Sequence, residues 1–195
     1  SRFADLHSHG KRVKRGAIMG KFSVTTLAVI AVMVAVVAVL TFAVQIPIPA
    51  TGGYIHFGDV GVYFAAFAFG PFVGSIAGGL GCAIADILSG YAVWAPLTLV
   101  AHGLQGFLAG YFGYKRGLMG MIVGWAIGSI ALILVYFLGE WFIYGLGFAG
   151  ALAEVGPNFI QMAVGGLIGI PLVLAIRKAY PPIDRMGMGK TWTEA

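Results

Sequence analysis

Charge is scarce in this chain. Asp, Glu, Lys and Arg make up 10% of its 195 residues while hydrophobic residues make up 59%, and the mean hydropathy is +0.93. Soluble domains carry about a quarter charged residues, so this composition excludes an ordinary soluble fold and makes the bilayer the solvent. Cysteine occurs once. Cys82 lies in an apolar stretch, which rules out an intramolecular disulfide and a cysteine-rich metal site and leaves a packing role. A phosphate-binding loop is missing too: Gly189-Lys190-Thr191 resembles the end of one, but Asp184 stands where the first glycine belongs. Any ATP-driven work therefore needs another subunit. Serines are few, and none sits with His and Asp in a recognisable nucleophile motif. His56 and His102 lack metal-ligand spacing, which argues against a metal site, and no cofactor is expected.

The chain does have long apolar runs. A helix needs about 20 apolar residues to cross the hydrocarbon core, and six such segments with short connections account for the chain with no room for a separate soluble domain. The first runs from Phe22 to Val44 and stops at Gln45-Ile-Pro-Ile-Pro49. The second is short, reaching from about Asp59 to Gly70, and crosses only if residues 54–58 contribute or neighbouring helices bury its ends. Pro71 suits the first turn of a third helix ending near Leu88, Pro96 opens a fourth to Tyr114, and Leu118 to Leu138 is the fifth. Gly156-Pro157 is read as the start of the sixth, which ends at Arg177-Lys178. The predicted fold is an all-α integral membrane protein. Its six-helix membrane domain covers residues 22–178, between a basic N-terminal tail of residues 1–21 and a C-terminal tail of residues 179–195. Met19 is a candidate natural start, which would make the preceding residues, with His7 and His9, an extension without function.

Basic residues set the orientation, because Lys and Arg near span ends stay in the cytoplasm. Six spans with the N-terminus inside put every one of them inside: six before span one, Lys115 and Arg116 between spans four and five, and Arg177, Lys178, Arg185 and Lys190 after span six. Both termini are then cytoplasmic in a multi-pass membrane protein. Clustering at span ends also argues against nucleic acid as the partner of the +5 net charge. Glycines recur at small-xxx-small spacing, as in Gly106 and Gly110, Gly120, Gly124 and Gly128, and Gly165 and Gly169, which predicts close helix packing. Ala28, Ala31, Ala35 and Ala38 make one small face on the first span. By spacing alone it either packs inside the bundle or docks a partner.

Polar residues gather toward the outer end. Tyr54, His56 and Asp59 lie around the first outer loop; Asp86, Tyr91 and Trp94 around the second; His102 and Gln105 early in helix four; Asn158 and Gln161 early in helix six. Ionisable groups within spans are costly and tend to face a wet cavity or a ligand path. Each has a structural alternative: Asp59 and Asp86 can brace helices, Tyr91 and Trp94 can anchor at the interface, His102 can be a core histidine, and Asn158 can satisfy a helix start. Glu140 and Glu154 read as solvated loop charges. The concentration at one end predicts an aromatic, hydrogen-bonding pocket for a small polar ring.

The series Gly53-Tyr-Ile-His-Phe-Gly-Asp59, Phe69-Gly-Pro71, Ala77-Gly-Gly-Leu-Gly81, Ala85-Asp-Ile-Leu-Ser-Gly-Tyr91 and Ala95-Pro-Leu-Thr98 resembles the substrate-binding S component of energy-coupling factor (ECF) vitamin transporters. The likeness is strongest to the branch associated with hydroxymethylpyrimidine and other thiamine precursors. The resemblance implies a non-enzymatic binder that takes a vitamin or heterocyclic precursor from outside. It also implies a transmembrane coupling subunit and two cytoplasmic ATPases as partners, whose ATP hydrolysis topples the binder inward. Ala31 and Ala35 match the face that such proteins present to the coupling subunit, and Asn158 and Gln161 match the polar start of helix six. Where many relatives show Lys-Gly-Leu-Glu-Gly, this chain has His102-Gly-Leu-Gln-Gly106, exchanging a cation and an anion together for neutral groups.

Two other readings compete. One is a structural or assembly subunit of a larger membrane complex, with its pocket filled by side chains. The other is a membrane-embedded enzyme, for which His102 and Asp86 are the pair to inspect.

Overall fold

The computed structural model describes residues 23–49 and 51–187. The basic tail, Met19 and the end of the C-terminal tail lie outside the described residues. Six α-helices run in the order α1 (Val24–Ala43), α2 (Gly58–Phe69), α3 (Pro71–Leu88), α4 (Ala95–Gly113), α5 (Gly117–Leu138) and α6 (Gly147–Ala179). Between α1 and α2 stands a small hairpin of β1 (Gln45–Ile48) and β2 (Gly53–His56). A π-helical turn, Gly139–Ile143, extends α5, and a 3-10 turn, Pro181–Arg185, follows α6. Four stretches, Val24–Ala43, Pro71–Leu88, Gly117–Ile143 and Gly147–Ala179, are long and apolar enough to cross a membrane alone.

Each boundary has a local cause. Ser23 caps α1 by accepting the Thr26 N–H at 3.0 Å. The break between α2 and α3 falls at Gly70, whose φ of +101° suits glycine, and Pro71 then starts α3 without an N–H to satisfy. The short α2 is about 18 Å long, too little for a membrane core. It survives because α1, α3, α4 and α6 surround it, leaving every residue but Phe64 buried. Residues 54–56 do not lengthen it; they form a strand.

The sixth helix differs from its predicted start. Pro157 lies inside α6, which begins ten residues earlier, at Gly147. A proline removes one intrahelical bond and favours a kink, but packing against the other helices carries the helix through it. At 33 residues α6 is about 50 Å long, enough to rise past the core on one side.

Glycine does what its spacing predicts. A Cβ on Gly106 would lie 2.2 Å from the Gly74 carbonyl oxygen, so α3 and α4 meet backbone to backbone. Gly165 lets α6 close on Asp59, whose Cβ would be 2.8 Å from an added methyl carbon. On α1 the buried stripe is Thr26, Val29, Met33, Val37 and Thr41, at helical spacing, while Ala28, Ala31 and Ala35 are exposed. The small face is therefore not spent on packing within this chain.

Candidate functional site

The polar residues converge under the hairpin. Its strands pair antiparallel, with Gln45 opposite His56 and Pro47 opposite Tyr54, and the turn closes where Gly52 takes a φ of +74°. Pro47 has no N–H to give, which is tolerated because a two-stranded ribbon consists only of edges. Four polar ties hold this ribbon down over the helices. Gln45 Nε2 donates to Ser89 Oγ at 2.6 Å, and the Tyr54 hydroxyl donates to Asp86 Oδ1 at 2.5 Å. The His56 N–H donates to Gln161 Oε1 at 3.0 Å, and the Thr51 hydroxyl donates to Glu154. Burial, with Asp86 adding to it, pushes the Tyr54 phenol above its usual value, so Tyr54 is the proton donor in its bond.

Beneath the hairpin is a chamber of about 30 Å³ lined by Tyr54, His56, Asp86, Trp94, Asn158 and Gln161, together with Gly53, Thr98, Tyr136, Glu140 and Glu154. That is room for about one water molecule. At this volume the chamber admits no ring-sized solute. Two larger grooves, of about 440 and 470 Å³, lie on the outer faces of the helices and are lined almost wholly by apolar groups.

Leaving Gln105 aside, six of the other nine candidate binding residues line this chamber: Tyr54, His56, Asp86, Trp94, Asn158 and Gln161. Tyr91 does not; its ring packs on Tyr54 at 4.6 Å between centroids and backs the wall. Asp59 and His102 sit deeper, behind His56. Gln105 Nε2 donates to Asp59 Oδ1 at 2.7 Å, and His102 Nε2 lies 3.6 Å from the same oxygen. Residues 102 and 105 therefore both face Asp59, one helical turn apart on α4. Burial, helped by His102 and partly opposed by Asp59, pushes His56 down to about 4, so it is neutral at pH 7. His56, Cys82 and His102 also come together, their ligand atoms all within 4.8 Å of one another, a juxtaposition that linear spacing does not reveal.

Glu140 and Glu154 are corrected from solvated loop charges to buried chamber walls, 1% and 5% exposed. The π turn, with its extra residue, carries Glu140 where its side chain reaches the chamber. Glu154 is on α6 itself, so Glu154, Asn158, Gln161, Gly165 and Gly169 form one helical stripe facing α2 and the chamber. That spacing was visible in the sequence but was cut by reading Pro157 as a helix start. Asn158 consequently does not cap a helix start. Asp86 Oδ2 and Glu140 Oε2 are buried without a hydrogen-bond partner, so acceptor capacity is left over at the chamber.

With the fold and chamber described, likenesses to known proteins can be placed. The family profile of the ECF-type riboflavin transporter S component matches residues 21–178. The chain belongs to the S-component family of ECF transporters. As such it is a multi-pass membrane protein and a transport subunit rather than an enzyme. A Pyrococcus woesei relative, described as an uncharacterized protein in the gap 3' region, is 40% identical over 148 residues, or 75% of this chain and 98% of its own. The thiamine precursor transporter HmpT of Lactococcus lactis subsp. cremoris (strain MG1363) is 31% identical over 175 residues, covering 88% of this chain and 95% of HmpT. Among solved structures, the S component of a bacterial ECF transporter superposes with a TM-score of 0.66 at 24% identity, over 79% of this chain and 96% of its own. FolT bound with folic acid gives 0.63 at 20% identity, over 81% and 95%. Both share this S component's fold.

Proposed function

We propose that this S component captures a thiamine precursor of the aminopyrimidine class, such as hydroxymethylpyrimidine, in the chamber beneath the hairpin. The observation that carries the reading is the pair of buried carboxyl oxygens without a partner there, Asp86 Oδ2 and Glu140 Oε2, beside Glu154 and the amides of Asn158 and Gln161. A flat ring bearing an amino group supplies donors to such acceptors and stacks against Trp94, Tyr54 or Tyr136. Likeness to HmpT over nearly the whole chain supports the same ligand class.

Delivery inward is the work of a coupling subunit and two ATPases, and the exposed Ala31 and Ala35 are the surface on which the coupling subunit docks. The small volume suits an assembly subunit that binds no solute, so the test must separate the two. Calorimetry of the purified chain against hydroxymethylpyrimidine, thiamine, riboflavin and folate is expected to give saturable binding of the pyrimidine with one site. Saturable binding of riboflavin or folate alone would overturn the ligand class. No binding by any of the four would leave the assembly reading in its place.

A further inference from the structure

Behind the chamber, four elements bring together two imidazoles, a carboxylate and a thiol. His102 on α4 is fully buried, and its Nδ1 lies 3.3 Å from the Thr98 carbonyl oxygen, which suits an Nδ1–H donor and, in the neutral ring, leaves a lone pair on Nε2. That Nε2 has no hydrogen-bond partner and points toward Asp59 at 3.6 Å. His56 on β2 accepts the Gly58 N–H on Nδ1 at 3.1 Å, so this nitrogen also carries a lone pair; it lies 3.8 Å from Asp59 Oδ2, which is itself unpartnered. Cys82 on α3 completes the group. Its sulfur is 3.5 Å from Thr41 Oγ1, but the Thr41 hydroxyl already donates to the Val37 carbonyl at 2.8 Å. Two imidazoles, a carboxylate and a thiol thus meet in one buried space. A cation among them satisfies the two atoms left without a partner, His102 Nε2 and Asp59 Oδ2.

We propose that His56, Cys82 and His102, with Asp59 as fourth ligand, form a buried binding site for a divalent transition metal of the zinc class. Nitrogen, sulfur and oxygen donors in a set of four are the preference of Zn²⁺ and of its spectroscopic stand-in Co²⁺. Bonds of about 2.0 to 2.3 Å set ligand separations of about 3.3 to 3.8 Å in a tetrahedron, so the cluster needs to contract by about an ångström. The histidine–carboxylate separations already fall in or near that range. Supporting contacts are also in place: Thr98 orients the His102 ring and Gln105 holds Asp59. His56 is the ligand that adjusts, exchanging its Gly58 bond for the metal. Because the ligands come from β2, α2, α3 and α4, an ion here ties the base of the hairpin to the bundle. The proposal stands independently of which vitamin the chamber takes.

The test uses the full chain in detergent with His7 and His9 replaced by alanine, so that these two histidines cannot contribute. Titration with Co²⁺ is expected to reach one equivalent, with visible bands of tetrahedral cobalt and a near-ultraviolet sulfur-to-cobalt charge-transfer band, both abolished by excess Zn²⁺. Cys82→Ser removes the charge-transfer band and weakens binding at least tenfold, and His102→Gln does the latter while keeping the sulfur. Metal content measured on protein expressed with zinc in the medium covers the case in which the closed site fills only during folding. Cobalt bound without the charge-transfer band, or with unchanged stoichiometry and affinity in folded, monodisperse Cys82→Ser, overturns the site. So does a folded parent that neither takes up cobalt nor carries zinc from expression.

Discussion

If the hairpin is the door of the chamber, the bond between Tyr54 and Asp86 is its strongest latch, and Tyr54→Phe tests it with little else changed. The ring stays, so its packing on Tyr91 at 4.6 Å survives, and only the hydroxyl that donates to Asp86 at 2.5 Å is lost. Hydrogen bonds to charged groups contribute about 1.5 to 3 kcal/mol, and each 1.4 kcal/mol is tenfold, so the ratio of closed to open forms falls roughly ten- to a hundredfold. Release of a trapped solute waits on opening, and its rate rises by the same factor. The assay loads the purified protein with radiolabelled hydroxymethylpyrimidine, dilutes it into unlabelled excess and follows the label by rapid filtration. Tyr180→Phe, at the opposite end and half exposed, is the control and leaves the rate unchanged. An unchanged release rate in Tyr54→Phe, with binding still saturable, would refute the latch and with it the hairpin as the moving part.

Two further outcomes follow from packing and charge. Gly106→Ala sets a Cβ 2.2 Å from the Gly74 carbonyl oxygen and forces α3 from α4, at a cost of about 1 to 3 kcal/mol, whereas Gly103→Ala meets nothing closer than 3.7 Å and gains about 0.5 to 1 kcal/mol of helix stability; thermal unfolding in detergent separates them. His56 titrates near 4 when folded and near 6.5 when unfolded, so its contribution is complete above about pH 6.5 and is lost as the pH falls toward 4. The loss is roughly 3 kcal/mol, and His56→Gln flattens that part of the stability profile measured by pH-dependent melting.

Most of the bundle was legible because bilayer physics is coarse: apolar runs mark the helices, and Pro71 and Pro96 mark helix starts. The same proline rule misled at Pro157, where tertiary packing holds a helix through a residue that local propensity would place at its beginning. That single error hid the stripe from Glu154 to Gly169 and made a chamber-lining carboxylate look like a loop charge. The π turn at Glu140 left no comparable trace, since an extra residue in one helical turn changes no composition. The hairpin was read as turn chemistry because its two four-residue strands are too short to show alternation. Six chamber residues were recognised from their clustering at one end, but the meeting of Cys82 with two histidines depends on the register of α3 against α4. Close glycine contacts set that register, and linear spacing does not encode it.

The two ends of the molecule are built unequally. At the end away from the hairpin Arg177 Nη2 donates to the Phe67 carbonyl oxygen at 2.8 Å while Nε holds Asp184 at 2.9 Å, binding the last turns of α2 and α6 to the 3-10 segment beside them. At the other end a two-stranded ribbon rests on side-chain bonds. If the proposed hairpin cover is the chamber's one opening, whatever the chamber holds leaves by the way it came, and to empty on the far side of a membrane such a vessel has to be turned over.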